Sequence, residues 1–154
     1  MAKRSAGLLM YRRAGPERVE LFLAHPGGPF WAKKDDGAWS IPKGLYEESE
    51  APLAAARREF EEETGCPPPA DAFELGHFKQ SGGKVIAAFA AQGDFDLRNF
   101  RSNTFEMEWP PRSGKRAEFP EADRAGWFAP EDALRKVTKG QVAIVEALVR
   151  KLGE

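Results

Sequence analysis

Apolar and polar positions alternate along the chain in short blocks, which predicts a domain of mixed strands and helices. Residues 7–11 and 19–25 form two apolar runs, separated by a polar segment that contains Gly15 and Pro16. A pair of such runs around a turn is typical of a hairpin or of two neighbouring strands. Residues 39–42 are expected to form a further short strand that ends at a proline.

The second half of the chain shows similar signals for strands. Residues 73–79 and 84–91 flank Gly82 and Gly83, so they are expected to pair as a hairpin. The second of these runs is almost entirely apolar, which is typical of a buried central strand. The remaining predicted segments are strands at 103–109 and 124–128 and a loop at 110–120.

Residues 52–64 have the composition of a helix, because they contain Ala, Leu, Arg, Glu and Phe without an internal breaker. Pro52 suits the first helical turn, and Gly65 suits the helix end. A short helix is expected from Pro130, and a final helix carries an apolar stripe. The stripe consists of Val142, Val145, Leu148, Val149 and Leu152. Strands and helices in this order predict an α/β sheet covered by helices.

Composition and charge narrow the range of functions. A chain of 154 residues is large enough for one domain with a continuous core. Its 23 basic and 24 acidic residues leave a net charge of −1, so no global attraction to nucleic acid or to an anionic membrane is indicated. The apolar stretches are too short for a signal peptide or a bilayer span, and Cys66 is the single cysteine. We therefore expect a cytoplasmic protein without a disulfide.

Three carboxylates converge on the helix predicted at 52–64. Glu59, Glu62 and Glu63 stand at i, i+3 and i+4, which places them within an arc of about 100°. Like charges on neighbouring turns destabilise a helix, and hard cations with oxygen ligands are the natural compensation. Glutamate-rich helices are nevertheless more often solvated faces, so the surrounding segment decides between the two interpretations.

That segment, GLYEESEAPLAAARREFEEETGC, resembles the Nudix box, G-x5-E-x7-R-E-U-x-E-E-x-G-U, in which U is a bulky apolar residue. The matching positions are Gly44, Glu50, Arg58, Glu59, Phe60, Glu62, Glu63 and Gly65. Cys66 fills the last apolar position, where the family usually has an aliphatic residue, and is expected to pack as a small hydrophobe. The resemblance implies a Nudix-type α/β/α sandwich with a mixed central sheet, as a single Nudix hydrolase domain over residues 1–154.

The resemblance also implies a reaction. Glu59, Glu62 and Glu63 would be catalytic and would hold Mg²⁺ or Mn²⁺ together with the backbone carbonyl of Gly44. The metal would lower the pKa of a water that attacks one phosphorus of a phosphoanhydride. Glu63 or Glu59 would take the proton. The expected activity is metal-dependent hydrolysis of a phosphoanhydride bond in a nucleoside-diphosphate-linked substrate.

Two further acidic residues and one arginine complete the implied site. Arg58 and Glu50 would form an ion pair that orients the metal-binding glutamates. The family commonly adds another carboxylate from a distant loop, and Glu121 resembles that position in its spacing. Glu118 is the alternative. The ion pair of Arg58 with Glu50 and the additional carboxylate ligand are therefore expected from the resemblance to the family and not from geometry.

Residues outside the box indicate the substrate. The Pro42-Lys43-Gly44 lead-in is similar to that of diadenosine polyphosphate and diphosphoinositol polyphosphate hydrolases. Dinucleoside polyphosphates or nucleoside triphosphates are therefore the expected small-molecule substrates, and Lys43 is a candidate phosphate contact. Further candidates are basic residues of the loops at 26–37 and 110–120, and loops of such length are commonly functional. These candidates are Lys33, Lys34, Arg112, Lys115 and Arg116.

Some features leave the substrate open. Diadenosine polyphosphate hydrolases usually carry a tyrosine about 16 to 18 residues beyond the box, where this chain has Ser81-Gly82-Gly83. Phe30, Trp31 and Trp109 lie beside the long loops and are candidates for base stacking. Removal of pyrophosphate from RNA 5′ ends and a catalytically silent nucleotide sensor are the alternatives. The balanced charge argues against the first, and the complete set of box glutamates argues against the second.

Overall fold

A hairpin of two long strands forms the middle of the structure, a computed structural model that describes residues 3–16 and 18–153. Strand β1 (Arg4–Gly15) pairs antiparallel with β2 (Arg18–Pro26), as the turn between the first two apolar runs predicts. β1 extends past the apolar run because Arg12 and Arg13 continue the ladder opposite β2. The first two residues of the basic N-terminal segment, for which no signal peptide is expected, lie outside the described residues.

Further strands extend this hairpin into a mixed sheet. β4 (Ala72–Lys79) and β5 (Val85–Gln92) form the predicted hairpin around Gly82 and Gly83, and β5 runs parallel to β1. β8 (Ala122–Phe128) pairs antiparallel with β2. The strand order is β4-β5-β1-β2-β8, and the short β3 (Lys43–Leu45) pairs antiparallel with β1. The mixed central sheet expected from the resemblance is confirmed.

Helices cover both faces of this sheet. Helix α1 (Pro52–Thr64) packs on one face, and α2 (Pro130–Lys136) and α3 (Val142–Leu152) pack on the other. Side chains of β1 alternate between the two cores: Leu8 and Met10 face α1, whereas Leu9 and Tyr11 join the core of α3. The predicted α/β/α sandwich is therefore present. None of the helices in the described part of the chain is long and apolar enough to cross a bilayer.

Helix α1 has the predicted bounds, and its end is fixed by local stereochemistry. Gly65 adopts φ 75° and donates its N–H to the carbonyl of Glu61. A Cβ at Gly65 would lie 2.7 Å from the carbonyl oxygen of Arg101, so a side chain is excluded by space as well as by conformation. Cys66 is buried in the core beside α1, as predicted from its small apolar character.

The strand predicted at 39–42 is wrong. Trp39 and Ser40 form only isolated bridges, and the strand lies at Lys43–Leu45 instead. Pro42 has no N–H to give to a ladder, and the N–H of Ile41 donates to Oε1 of Gln141 at 3.0 Å. The segment therefore makes only single bridges, and regular pairing with β1 begins at Lys43.

The loop predicted at 110–120 is wrong over its second half. β7 (Arg116–Pro120) pairs antiparallel with β6 (Thr104–Glu108), and the two form a separate ribbon. In β7 exposed and half-buried residues alternate, which is a strand pattern that its Pro- and Arg-rich surroundings obscure. The apolar stripe of α3 also needs one correction, because Val149 is 42% exposed and Ile144 is buried instead.

Candidate active site

The close approach of α1 to β3 positions the first carboxylate of the site. Glu59 is 9% exposed, and its carboxylate lies directly over the Cα of Gly44. Any Cβ at Gly44 would overlap the Oε1, Oε2 and Cδ atoms of Glu59. Glycine at this position therefore leaves the space that the Glu59 carboxylate occupies. Burial raises the pKa of the Glu59 carboxyl, although its bond to Arg58 acts in the opposite direction.

Arg58 lies between the carboxylates of the box. Its Nε and Nη2 atoms donate to the two carboxylate oxygens of Glu50 at 2.9 and 3.0 Å, so the predicted ion pair is present and bidentate. Its Nη1 atom donates to Glu59 at 2.8 Å and to Glu62 at 3.3 Å. The hydrogen bond from Arg58 lowers the pKa of Glu50. One guanidinium thus fixes three carboxylates at once.

Glu63 faces the beginning of β3 rather than Arg58. Its Oε2 atom accepts the backbone N–H of Lys43 at 2.9 Å. The pKa of Glu63 is raised to about 8, first by burial and then by the nearby charges of Glu121 and Glu59, against the effect of the hydrogen bond and the charge of Lys43. A carboxylate in this position is costly to ionise unless a positive charge comes close.

Glu121 reaches the same place from the other end of the chain. Lys43, Glu63 and Glu121 line one cavity of about 230 Å³, together with Pro26 and Ser40. Burial raises the pKa of Glu121, and so does the charge of Glu62. Glu118, the alternative candidate, lies on the exposed side of the β6–β7 ribbon opposite Glu106. The structure therefore brings Glu121, and not Glu118, to the box glutamates.

The carboxylate oxygens of the site have the chemistry that a hard divalent cation prefers. They are not arranged around a single position for such a cation. No three acidic, histidine or cysteine side chains within residues 3–16 and 18–153 form a ready-made cation site. The reason is that Arg58 bridges Glu59 and Glu62, and the Lys43 amide holds Glu63. Glu59 and Glu63 each keep one carboxylate oxygen without a protein donor in this part of the chain. Oxygen ligands of this kind suit Mg²⁺ and Mn²⁺.

The basic candidates lie at different distances from these carboxylates. Lys43 lines the cavity itself. Lys33 and Lys34 lie on the loop after β2, and the Nζ atom of Lys34 lies 5.1 Å from the centre of the Trp31 ring. Arg112 is in the turn at the far end of the ribbon, where its backbone N–H donates to Glu108. The five residues of β7, about 17 Å of extended chain, separate that end of the ribbon from Glu121.

The aromatic candidates form a small exposed group between the loop and the ribbon. Phe30 is 62% exposed and meets the Trp109 ring edge to face at 5.5 Å between centroids. Trp31 is 38% exposed on the same loop. The loop also touches the ribbon at Gly28, whose Cβ position would lie 3.1 Å from the Phe105 ring. The planar surfaces of Phe30 and Trp109 thus lie at the far end of the ribbon, which β7 separates from Glu121.

His25 is a residue of the site region to which the sequence assigns no role. The side chain is fully buried, and its Nδ1 atom lies 2.8 Å from Oδ1 of Asp123. Its Nε2 atom lies 2.6 Å from the carbonyl oxygen of Lys34. A histidine inside an apolar run carries no signal for such contacts, because both partners are distant or belong to the backbone. His77, the other histidine without an assigned role, is exposed on β4.

Comparisons with known proteins agree with this architecture. The NUDIX domain of Shewanella oneidensis NrtR, solved with ADP ribose, superposes with a TM-score of 0.67 at 14% identity, over 99% of this chain and 89% of that one. The Caenorhabditis elegans Ap4A hydrolase in a binary complex superposes with a TM-score of 0.65 at 19% identity, over 99% and 98%. No curated protein matches the sequence. Residues 1–148 match the family model of the NUDIX domain, and the chain therefore belongs to the NUDIX domain family.

Proposed function

We propose that this Nudix pyrophosphohydrolase cleaves a phosphoanhydride bond in a dinucleoside polyphosphate or a nucleoside triphosphate, with Mg²⁺ or Mn²⁺ as cofactor. The observation that carries the proposal is the cavity lined by Lys43, Glu63 and Glu121. These residues come from distant parts of the chain, and two of them are carboxylates in surroundings that raise their pKa. Two carboxylates with raised pKa beside a lysine in one cavity are typical of a site for a cation and an anionic substrate.

The proposed metal ligands are the carboxylates of Glu59, Glu62, Glu63 and Glu121 and the backbone carbonyl of Gly44. A divalent cation bound there would offset the charge of the diphosphate oxygens and activate a water for attack on phosphorus. Two features support this assignment: the donors are all hard oxygens, and the charges of neighbouring carboxylates raise the pKa of Glu59 and of Glu63, although Arg58 and Lys43 act in the opposite direction.

The chain's own residues perform the remaining tasks. Arg58, held by Glu50 through two hydrogen bonds, fixes the orientation of Glu59 and Glu62. Glu63 or Glu59 accepts the proton of the attacking water, because each keeps an oxygen free of protein donors in the described contacts. Arg58 thus orients the carboxylates, and one of the glutamates accepts the proton.

Basic residues in the cavity and on the loop after β2 support the substrate class. Lys43 is proposed to contact the phosphates nearest the cleaved bond, with Lys33 and Lys34 on the adjacent loop. Arg112 lies at the far end of the ribbon, so only a long polyphosphate or a second nucleoside would extend to it. The fold shared with the C. elegans Ap4A hydrolase and the Pro42-Lys43-Gly44 lead-in are consistent with a dinucleoside polyphosphate.

The test is a hydrolysis assay with Mg²⁺ on diadenosine polyphosphates, nucleoside triphosphates, ADP-ribose and 5′-triphosphorylated RNA. Wild type is compared with Glu63→Gln, for which we expect a loss of about 100-fold or more in kcat. Best turnover on RNA would replace the proposed substrate class. Nucleotide binding without cleavage by wild type would favour a sensor, and equal cleavage by both proteins would contradict the assignment of Glu63.

A further inference from the structure

His25 joins two segments that directly follow residues lining the active-site cavity, Pro26 and Glu121. The first is the lysine loop, defined here as residues 27–38, and the contact is the 2.6 Å approach of His25 Nε2 to the carbonyl oxygen of Lys34. The second is β8, which His25 meets through Nδ1 and the carboxylate of Asp123. Both partners are hydrogen-bond acceptors, so each contact requires a ring nitrogen that donates.

The surroundings of His25 hold the ring in this orientation. The side chain is 0% exposed and packs edge to face on the indole of Trp39, with 5.2 Å between ring centroids. The indole Nε1 atom donates to Asp35 at 2.8 Å, and Asp35 also accepts from Nζ of Lys136 at 2.8 Å. The carboxyl-terminal half of the lysine loop is therefore anchored next to the histidine contact.

A second contact ties the start of the lysine loop to the distal carboxylate. The N–H of Gly27 donates to the carbonyl oxygen of Glu121 at 2.9 Å. A Cβ at Gly27 would overlap the carbonyl oxygen of Pro120, so the two backbones touch here. Asp123, the partner of His25, follows Glu121 by two residues on the same segment. The loop that carries Lys33 and Lys34 thus shares its anchors with the segment that carries Glu121.

We propose that His25 is a positioning residue, which fixes the lysine loop relative to Glu121 so that substrate phosphates and metal ligands keep their relative positions. The part that concerns substrate rests on the proposed function of Lys33 and Lys34. The contact of Nε2 with the Lys34 carbonyl fixes the position of the lysine loop. The contact of Nδ1 with Asp123 fixes the orientation of the ring. Loss of the Nε2 contact should therefore weaken substrate binding and leave the chemical step nearly unchanged.

Two substitutions separate the contacts. His25→Gln places an amide nitrogen near the position of Nε2 and can still donate to Lys34, whereas His25→Asn places it near Nδ1 and retains only the contact with Asp123. For His25→Asn we expect amide hydrogen exchange in residues 27–38 to accelerate by about five- to tenfold and KM to rise by a similar factor, with kcat within about twofold. His25→Gln should stay closer to wild type in both the exchange rate and KM. Ile86→Ala, in the core around β5, controls for a general loss of stability.

The two readouts keep this inference separate from the proposed function. If wild type cleaves none of the nucleotides, hydrogen exchange still reports whether His25 fixes the loop. Equal exchange rates in His25→Asn, His25→Gln and Ile86→Ala would overturn the proposal. Should both histidine variants fail to fold, nitrogen NMR of the wild-type ring provides the test: two slowly exchanging ring N–H signals are expected, and a single protonated nitrogen on the Asp123 side would contradict the contact with Lys34.

Discussion

At the scale of single residues, the site is held in an arrangement that costs stability. Glu63 is surrounded by protein and lies near two other carboxylates, and its pKa is raised to about 8. Its one described hydrogen bond comes from the Lys43 amide. A residue that is expensive to ionise and is nevertheless placed in a cavity supports the proposal that this cavity binds a cation.

Glu63→Gln should therefore stabilise the metal-free protein while it abolishes hydrolysis. An unfolded glutamate has a pKa of about 4.3, and the folded pKa of about 8 means that ionisation opposes folding between these values. The free energy of unfolding of wild type therefore falls as pH rises from 5 to 9. In the variant this fall is absent, because glutamine does not ionise. Thermal unfolding in EDTA should show a higher Tm for the variant at pH 9 and a gap that closes toward pH 5. A gap that is constant with pH would contradict the assignment.

Arg58 gives a second prediction at this scale, because its planar fork bonds Glu50 through two nitrogens and Glu59 through a third. Lysine keeps the charge but cannot make this bidentate contact. We expect Arg58→Lys to lower kcat or metal affinity by about 10- to 100-fold. Arg57→Lys is the matched control, since Arg57 bonds only the carbonyl of Pro69 among the described residues. Comparable losses of kcat or metal affinity in both variants would show that the bidentate contact of Arg58 with Glu50 has no special role.

At the scale of elements, the sequence predicts those whose signals are local. Helix α1 matches its predicted bounds because composition, the proline at its first turn and the glycine at its end all agree. The ribbon of β6 and β7 was missed in part because its second strand follows a Pro- and Gly-rich turn and is polar on one side. β3 was misplaced because its pairing depends on contact with β1, which no local pattern shows. The same limit applies to His25, whose partners are set by tertiary contacts.

The contact of β3 with α1 gives a prediction that belongs to these two elements. Gly44→Ala would place a Cβ where the Glu59 carboxylate lies, and that carboxylate is the free end of a flexible side chain. The protein should fold with a Tm near that of wild type, but a displaced carboxylate should reduce kcat/KM by about 100-fold. Gly15→Ala, with no atom within 4 Å of the added Cβ, is the control. Retained activity in Gly44→Ala would mean that Glu59 need not lie against β3.

At the scale of the whole molecule, the sheet topology assembles the site. The pairing of β3 with β1 and of β8 with β2 brings the beginning of β3, the end of α1 and the segment before β8 to one cavity. The sequence shows the box as one contiguous segment, but the distance between Glu121 and Glu63 depends on strand order. For that reason the sequence left Glu118 as an alternative, and only the fold separates the two residues.

A cation that binds between these segments should tie them together and stabilise the whole domain. Binding to the folded state alone raises stability with ligand concentration, so Mg²⁺ at about 100 times its Kd should raise the Tm by about 5–10 °C. Glu121→Gln should reduce this shift at the same Mg²⁺ concentration, because one oxygen donor loses its charge, whereas Glu118→Gln should retain it. Differential scanning calorimetry of the three proteins with and without Mg²⁺ measures the shifts. A reduced shift in Glu118→Gln alone would place the distal ligand on the exposed side of the ribbon, and the ribbon would then have to move toward α1 when metal binds.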